Sequence, residues 1–437
     1  MTTCEVPRSE YGWVEPLAEA RPALEDEITC DVAVVGGGYT GMAAALRLAE
    51  RGAEVVLLEA GFCCCGASSR NAGQLTGAPA GDPQILYMMH PRRLRGVVRF
   101  GEAAVDFTEK LIERLGIDCE YEPTGNVAAA VSQGQLRKAQ RNTRILRDMG
   151  ADVEFGTGRE LGLPEAFLGG SFERSGGHLN TGKFALGLRE ALLGSGAHVF
   201  ERSPVRAVEP DSTGAVVSTR NGRVRAGRVL LATNAYSREL AITPKRMAAP
   251  VLVSEVETEP IDPERLEAVG WTSRAGIITQ HNLMQNYRLT RRSTIITGVR
   301  RLRKGRGHLD PCCKPDQAVV ADLLRGFRDH FPSLRDVAAQ RAWGGWVAMT
   351  PPWLPVAGKA AENVFYAGGY NGHGLAQAPY LGTLLADRMA DERCHEDLDA
   401  VWRRRSWFPP TPVSNALTLR AAWALDRISD RLSRLTN

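Results

Sequence analysis

Long uncharged runs are missing from this 437-residue sequence. No stretch approaches the ~20 apolar residues a membrane-spanning helix requires. The start, MTTCEVPRSEYGWVEPLAEA, has no apolar segment behind a basic cluster, so neither a membrane span nor an export signal is expected. A dominant charge is missing too: 54 basic residues stand against 50 acidic ones, and a formal charge of +4 argues against a nucleic-acid partner. The nine cysteines include no Cys-x-x-Cys pair and no histidine at zinc spacing. Cys63-Cys64-Cys65 and Cys312-Cys313 are runs of neighbours, which rarely meet disulfide geometry, so they read as reduced, unliganded thiols in packed turns, with no metal. Length and apolar content predict a cytoplasmic, enzyme-sized protein of two interleaved domains.

What the sequence does contain is a dense dinucleotide signature. Residues 28–35 form a short β-branched run, 42–51 an Ala- and Leu-rich helical pattern, and 54–58 a second apolar run, which is the order of one βαβ unit. Between the first run and the helix stand Gly36, Gly38 and Gly41, a Gly-x-Gly-x-x-Gly turn that also contains Tyr39 and Thr40. The first glycine permits the tight turn, the second lets backbone approach a pyrophosphate, and the third lets helix pack on sheet. Glu59, followed by Ala60, closes the second run where a carboxylate can accept ribose hydroxyls, and it disfavours a 2′-phosphate by like-charge repulsion. These features fit NAD as well as FAD.

Further along, 101–115, 134–149 and 183–194 read as helices, and strands are expected near 197–208, 214–219, 223–232, 250–258, 275–280 and 285–299. Residues 1–27 read as an arm over the body. Beyond Arg403-Arg404-Arg405 and Pro409-Pro410, the residues Leu417, Ala421, Leu425, Ile428, Leu432 and Leu435 recur at helical spacing, with Arg420, Arg427, Arg431 and Arg434 largely off that stripe. This stripe is expected to dock on the parent domain.

The run 31–41 and the segment 66–74, with Ser68, Ser69, Arg70, Asn71, Gly73 and Gln74, resemble the opening of the D-amino-acid-oxidase-like flavoenzymes. The stretches 204–208 with Val205, 229–235 with Thr233 and Asn234, and 363–385 with Gly369, Asn371, Gly372, His373, Gly374 and Leu375 resemble that family's remaining FAD-contacting segments. The resemblance implies an α/β fold of the glutathione-reductase-2-like flavoenzyme type, in which a Rossmann-like FAD-binding domain (28–92, 179–243 and 343–395) interleaves with an antiparallel-sheet substrate domain (93–178 and 244–342). The arm 1–27 and a basic amphipathic helix within 396–437 complete that plan. It also implies that the helix start at 374 faces the pyrimidine end of the flavin, where negative charge develops on reduction.

Flavin oxidation of an amine needs a neutral nitrogen and a water-excluding wall. His373, Tyr287, Trp343 and Tyr370 are the catalytic candidates, with Trp346 as a further aromatic. Val347 stands where glycine and D-amino-acid oxidases resemble this chain but carry a carboxylate-clamping arginine, and Ala376 where sarcosine oxidases carry a lysine. No cysteine occurs in 344–348, where sarcosine oxidases attach flavin, so noncovalent FAD is expected. Within the superfamily the chain looks most like γ-glutamylputrescine oxidoreductases, from which Cys63-Cys64-Cys65 is a departure. That resemblance implies oxidation of a polyamine or γ-glutamyl amine to an imine, hydrolysed to aldehyde and amine, with oxygen reoxidising the flavin to give peroxide. A dehydrogenase passing electrons to a quinone or protein acceptor, and a noncatalytic flavin-binding protein, are the alternatives; the oligomeric state is left open.

Overall fold

The computed structural model describes residues 6–404 except 18, 312, 392 and 393, and in addition 408, 417, 420, 421, 423–425 and 428. The alternating apolar run Glu27–Val35 becomes a strand whose last four residues are buried, because it lies in the middle of a sheet. It pairs in parallel with Val55–Leu58 on one side and Arg223–Leu231 on the other. His198–Phe200 extends this sheet beyond Val55–Leu58, and Val364–Gly368, Val356–Ala361 and Trp402–Arg403 extend it beyond Arg223–Leu231. The antiparallel pair Ala207–Pro210 and Ala215–Ser218 joins Arg223–Leu231 to complete nine strands. Helices Tyr39–Glu50, Thr181–Gly194 and Gly374–Asp391 cover one face, sharing a core of Met42, Leu46, Phe184, Leu188, Leu381 and Leu385.

A second nine-stranded sheet is mostly antiparallel and built around Ala249–Thr258, Gln285–Leu289 and Ile295–Val299. The expected long strand over 285–299 is thus a hairpin, reversed at Arg291–Ser293 where Ser293 adopts a φ of 58°. Asn126–Ala130, Gly169–Glu173 and Val153–Thr157 continue this sheet on one side. Helix Gln317–His330 covers part of it through Val320, Leu323 and Phe327.

Three boundaries differ from the expected plan. Strand Ala339–Met349 pairs along its length with Ala249–Thr258, so residues 343–349 belong to the second sheet rather than the nucleotide unit. Helix Leu94–Leu115, expected in the substrate domain, buries Phe100, Ala104, Val105 and Leu111 in the nucleotide core. Its amphipathic pattern specifies a buried face but not which neighbour receives it. At the C-terminal end, Glu396–Val401 is a short helix, and Trp402–Arg403 adds an edge strand to the first sheet.

The described part of the last apolar stripe faces outward: Leu417, Leu425 and Ile428 are 70, 63 and 53 % exposed. Trp423 docks there: its indole N–H donates to Asp322 (3.2 Å) and its ring lies 4.4 Å from the Arg301 guanidinium. Leu432, Leu435, Arg405, Arg427, Arg431, Arg434, Pro409 and Pro410 lie outside the described residues. No described helix is long and apolar enough to cross a membrane.

Candidate active site

The glycine turn is built as a cradle. Gly36 adopts a φ of 109°, open to glycine at low cost, and a side chain there would press on the Ala232 carbonyl at 2.8 Å. A Cβ on Gly41 would overlap the Gly36 carbonyl oxygen, and one on Gly37 would meet the Cys63 sulfur at 2.7 Å. Helix Tyr39–Glu50 then starts at Gly38 with no side-chain cap and no acidic residue in its first turn, so the positive end of its dipole is not neutralised locally. Ser68 Oγ accepts from the Tyr39 amide (3.0 Å), and the Thr40 and Tyr370 hydroxyls meet at 2.5 Å.

Glu59 stands at the end of Val55–Leu58 and accepts from the Gly37 and Gly61 amides at 2.7 and 2.8 Å. Burial raises its pKa, against the pull of those two amides. Each carboxylate oxygen keeps acceptor capacity beyond these bonds, as a ribose-gripping group requires. Ala60 beside it is exposed, and Val205 is half-buried against the core behind the strand. Cys65 donates to Glu59 over 3.6 Å, and burial holds the Cys63 and Cys64 thiols far above their usual range, Cys64 at about 12. The triplet is therefore a packed, protonated floor under the carboxylate.

The segment 66–74 joins the two sheets. The Arg70 guanidinium donates to the Cys65 and Gly344 carbonyls at 2.8 and 3.0 Å, and Asn71 braces the turn through Ala67, Ser68 and Gly73. Ser69 donates to Cys64, and Gln74 reaches the Ile277 and Tyr287 carbonyls. Gly73 adopts a φ of 86°, and a Cβ there would touch Arg288 Nη1 at 2.5 Å. Trp343 is fully buried and donates its indole N–H to the Arg70 carbonyl at 2.9 Å. The arm closes over this junction: Trp13 donates to the Ser69 carbonyl through its amide (2.8 Å) and to the Asn71 carbonyl through its indole (3.0 Å).

The other glycine-rich loop follows Val364–Gly368. Gly369, Asn371 and Gly372 all have positive φ, at 70, 53 and 93°. Asn234 Oδ1 accepts from the Gly369 amide (2.9 Å), while Thr233 bonds Ser237 (3.0 Å). Asn371 fastens the loop to Thr350, and helix Gly374–Asp391 begins immediately after it, with Leu375 buried in the core. His373 is half-buried with Nδ1 3.2 Å from the Asn371 carbonyl, which favours the tautomer with hydrogen on Nδ1. Burial lowers its pKa, keeping the imidazole neutral at neutral pH.

The two glycine loops and the segment 66–74 are therefore brought together, as are Trp343 and Tyr370, although Tyr370 is tied to Thr40 and buried in the core. Tyr287 is not brought there. Its side chain sits among Phe167, Phe331 and His330 on the far face of the second sheet, with its hydroxyl 2.6 Å from His330 Nδ1. Trp346 also points away, to Leu252, Leu309 and Cys313. Strand alternation places Asn286 and Arg288, not Tyr287, on the face toward residues 70–74. Glu255, opposite Trp343 in register, shares that face. Sequence reading missed these three; the signal was Glu255 and Glu257 at period two inside an otherwise apolar strand.

Comparison with known proteins gives a consistent result. The family described as DAO, FAD dependent oxidoreductase, matches residues 31–388. The chain is 31 % identical over 410 residues to γ-glutamylputrescine oxidoreductase of Escherichia coli K12, covering 91 % of each. It is 26 % identical to glycine oxidase of Geobacillus kaustophilus, covering 84 % of this chain and 95 % of the relative. Among solved structures, L-proline dehydrogenase from P. horikoshii superposes with a TM-score of 0.72 at 20 % identity, over 87 % of this chain and 96 % of that one.

Proposed function

This chain belongs to the DAO family of FAD-dependent oxidoreductases and acts on an amine or amino acid, and we propose that its substrate is a polyamine or γ-glutamyl amine. The amine is oxidised to an imine that hydrolyses to an aldehyde and an amine, with oxygen as final acceptor and peroxide as product. Bound FAD supplies the two-electron acceptor for the C–N bond. The cradle of Gly36, Gly38 and Gly41, with Glu59 at its edge, fits the dinucleotide, and the start of helix Gly374–Asp391 fits its flavin end.

The observation that carries the substrate class is Val347. It shares a strand face with Trp343 and Gly345, toward Arg70, yet has no charge with which to grip a carboxylate. Nearby, Arg70 Nε and Nη1 donate to two carbonyls and Arg288 Nη1 donates to the Leu179 carbonyl. Trp343 and the Trp13 lid exclude water, and neutral His373 offers a hydrogen bond without added positive charge. The 31 % identity to a γ-glutamylputrescine oxidoreductase supports the same reading.

The test is oxygen uptake with peroxide detection across polyamines, γ-glutamyl amines, glycine and D-amino acids. Turnover confined to the amines is expected. Efficient turnover of glycine or a D-amino acid would overturn the substrate class, and flavin reduction without oxygen uptake would transfer the activity to a dehydrogenase. Noncovalent attachment predicts that acid precipitation leaves the yellow colour in the supernatant; colour in the pellet contradicts it.

A further inference from the structure

On the face of the second sheet toward residues 70–74, Glu255 and Asn286 are each 3 % exposed. Asn286 Nδ2 donates to Glu255 Oε1 over 3.4 Å. That leaves two buried acceptors, Glu255 Oε2 and Asn286 Oδ1, with no donor among the described residues. Buried polar atoms are almost always satisfied, so two adjacent orphans of one kind call for a donor from outside the chain. Gly298 lies opposite both residues in register, and the Glu255 carboxylate occupies the space that a side chain there would take, so the glycine is what lets the acid lie beside Asn286.

The other charged groups on this face are Glu257 and Arg288. Glu257, two residues along the same face, holds Arg292 and Arg341 at 2.7 Å each. Arg288 donates to the Leu179 carbonyl and lies 4.9 Å from the Trp13 ring, although its Nε is also without a partner. Among the described residues no ion pair joins Glu255 to an arginine or lysine, although the Arg288 charge acts on it from nearby.

Resting on the amine-oxidising reading above, we propose that Glu255, assisted by Asn286, is the group that binds the substrate nitrogen and selects amines over carboxylates. An ammonium or amine brings N–H donors to both orphan acceptors, and its charge complements the carboxylate; a substrate carboxylate brings only further acceptors and like charge. Burial pushes the Glu255 carboxyl up to about 8 against the pull of Asn286 and of the Arg288 charge, so the acid keeps its proton near neutral pH and an arriving ammonium would favour its ionised form.

The test uses holoenzyme and tert-butylamine, which has no hydrogen on the carbon bearing nitrogen and so binds without turnover, with pivalate as the carboxylate of matching shape. Calorimetry should show wild type binding the amine in preference to pivalate. Glu255→Gln should weaken the amine roughly tenfold to a hundredfold, with FAD content retained. Asn286→Leu, which removes the second acceptor without touching charge, should weaken it less. Equal amine binding by wild type and E255Q, or wild type preferring pivalate or binding neither, overturns the assignment. A protein that binds tert-butylamine through Glu255 yet oxidises no amine would instead sink the functional reading and leave this one standing.

Discussion

Two glutamates show how environment divides one side-chain type into different roles. Glu59 is half-buried and receives two backbone amides, whereas Glu255 is fully buried with one long bond and an orphan oxygen. Glu59→Gln keeps the shape but sets an amide N–H₂ against a backbone donor, so FAD affinity should fall by roughly tenfold, read by flavin fluorescence titration. Glu255 has a consequence for stability. Its carboxyl titrates at about 8 when folded against an ordinary 4.5, so the folded state holds the proton more tightly. Stability is then fully present below the ordinary value and is lost as pH rises through about 8. E255Q removes this slope, and without amine its melting temperature should exceed that of wild type above pH 8 while the two converge near pH 5. Wild type and variant keeping a constant difference across that range would refute the burial argument.

At the scale of elements, the glycine turn and the loop before Gly374–Asp391 tolerate added atoms poorly at Gly36, Gly41 and Gly369. Gly41→Ala forces a methyl onto the Gly36 carbonyl. Relief costs about 1–3 kcal/mol, enough to weaken FAD roughly tenfold or more, visible as loss of bound flavin after gel filtration. Both loops were legible in the sequence, because glycine spacing between an apolar run and a helix has a direct backbone meaning. The nucleotide strands and helix were legible for the same reason, within a few residues of their observed ends. Tyr287 was misplaced because Gln285–Leu289 is buried on both faces, so alternation shows that Tyr287 and Arg288 oppose each other without showing which faces the cofactor. Glu255 was passed over because two acids at period two in a strand mark a face without saying what it meets; its missing partner, a property of packing, is what exposes it.

At the scale of the molecule, two sheets meet through residues 66–74, with the arm fastened over the seam. Trp13 is surrounded by Arg288, Arg292 and Arg341 at 4.9, 5.8 and 5.1 Å and edges against Trp343 at 5.5 Å. Trp13→Ala should therefore cost about 3 kcal/mol in denaturant unfolding and weaken FAD as well, since the loop it pins carries Ser68 and Asn71. Unchanged flavin binding in that variant would show the arm to be a cover only. The interleaved plan was implied by the family resemblance, but the assignment of helix Leu94–Leu115 and strand Ala339–Met349 was not, because each pattern fixes a buried face and not its partner.

The central claim is that bound flavin takes electrons from an amine lacking a gripped carboxylate. Anaerobic titration of the holoprotein with γ-glutamylputrescine, putrescine, glycine and D-alanine, followed by the visible flavin spectrum, addresses it directly. Rapid bleaching by the first two alone is the predicted result. Bleaching by glycine or D-alanine with the amines inert would contradict the account.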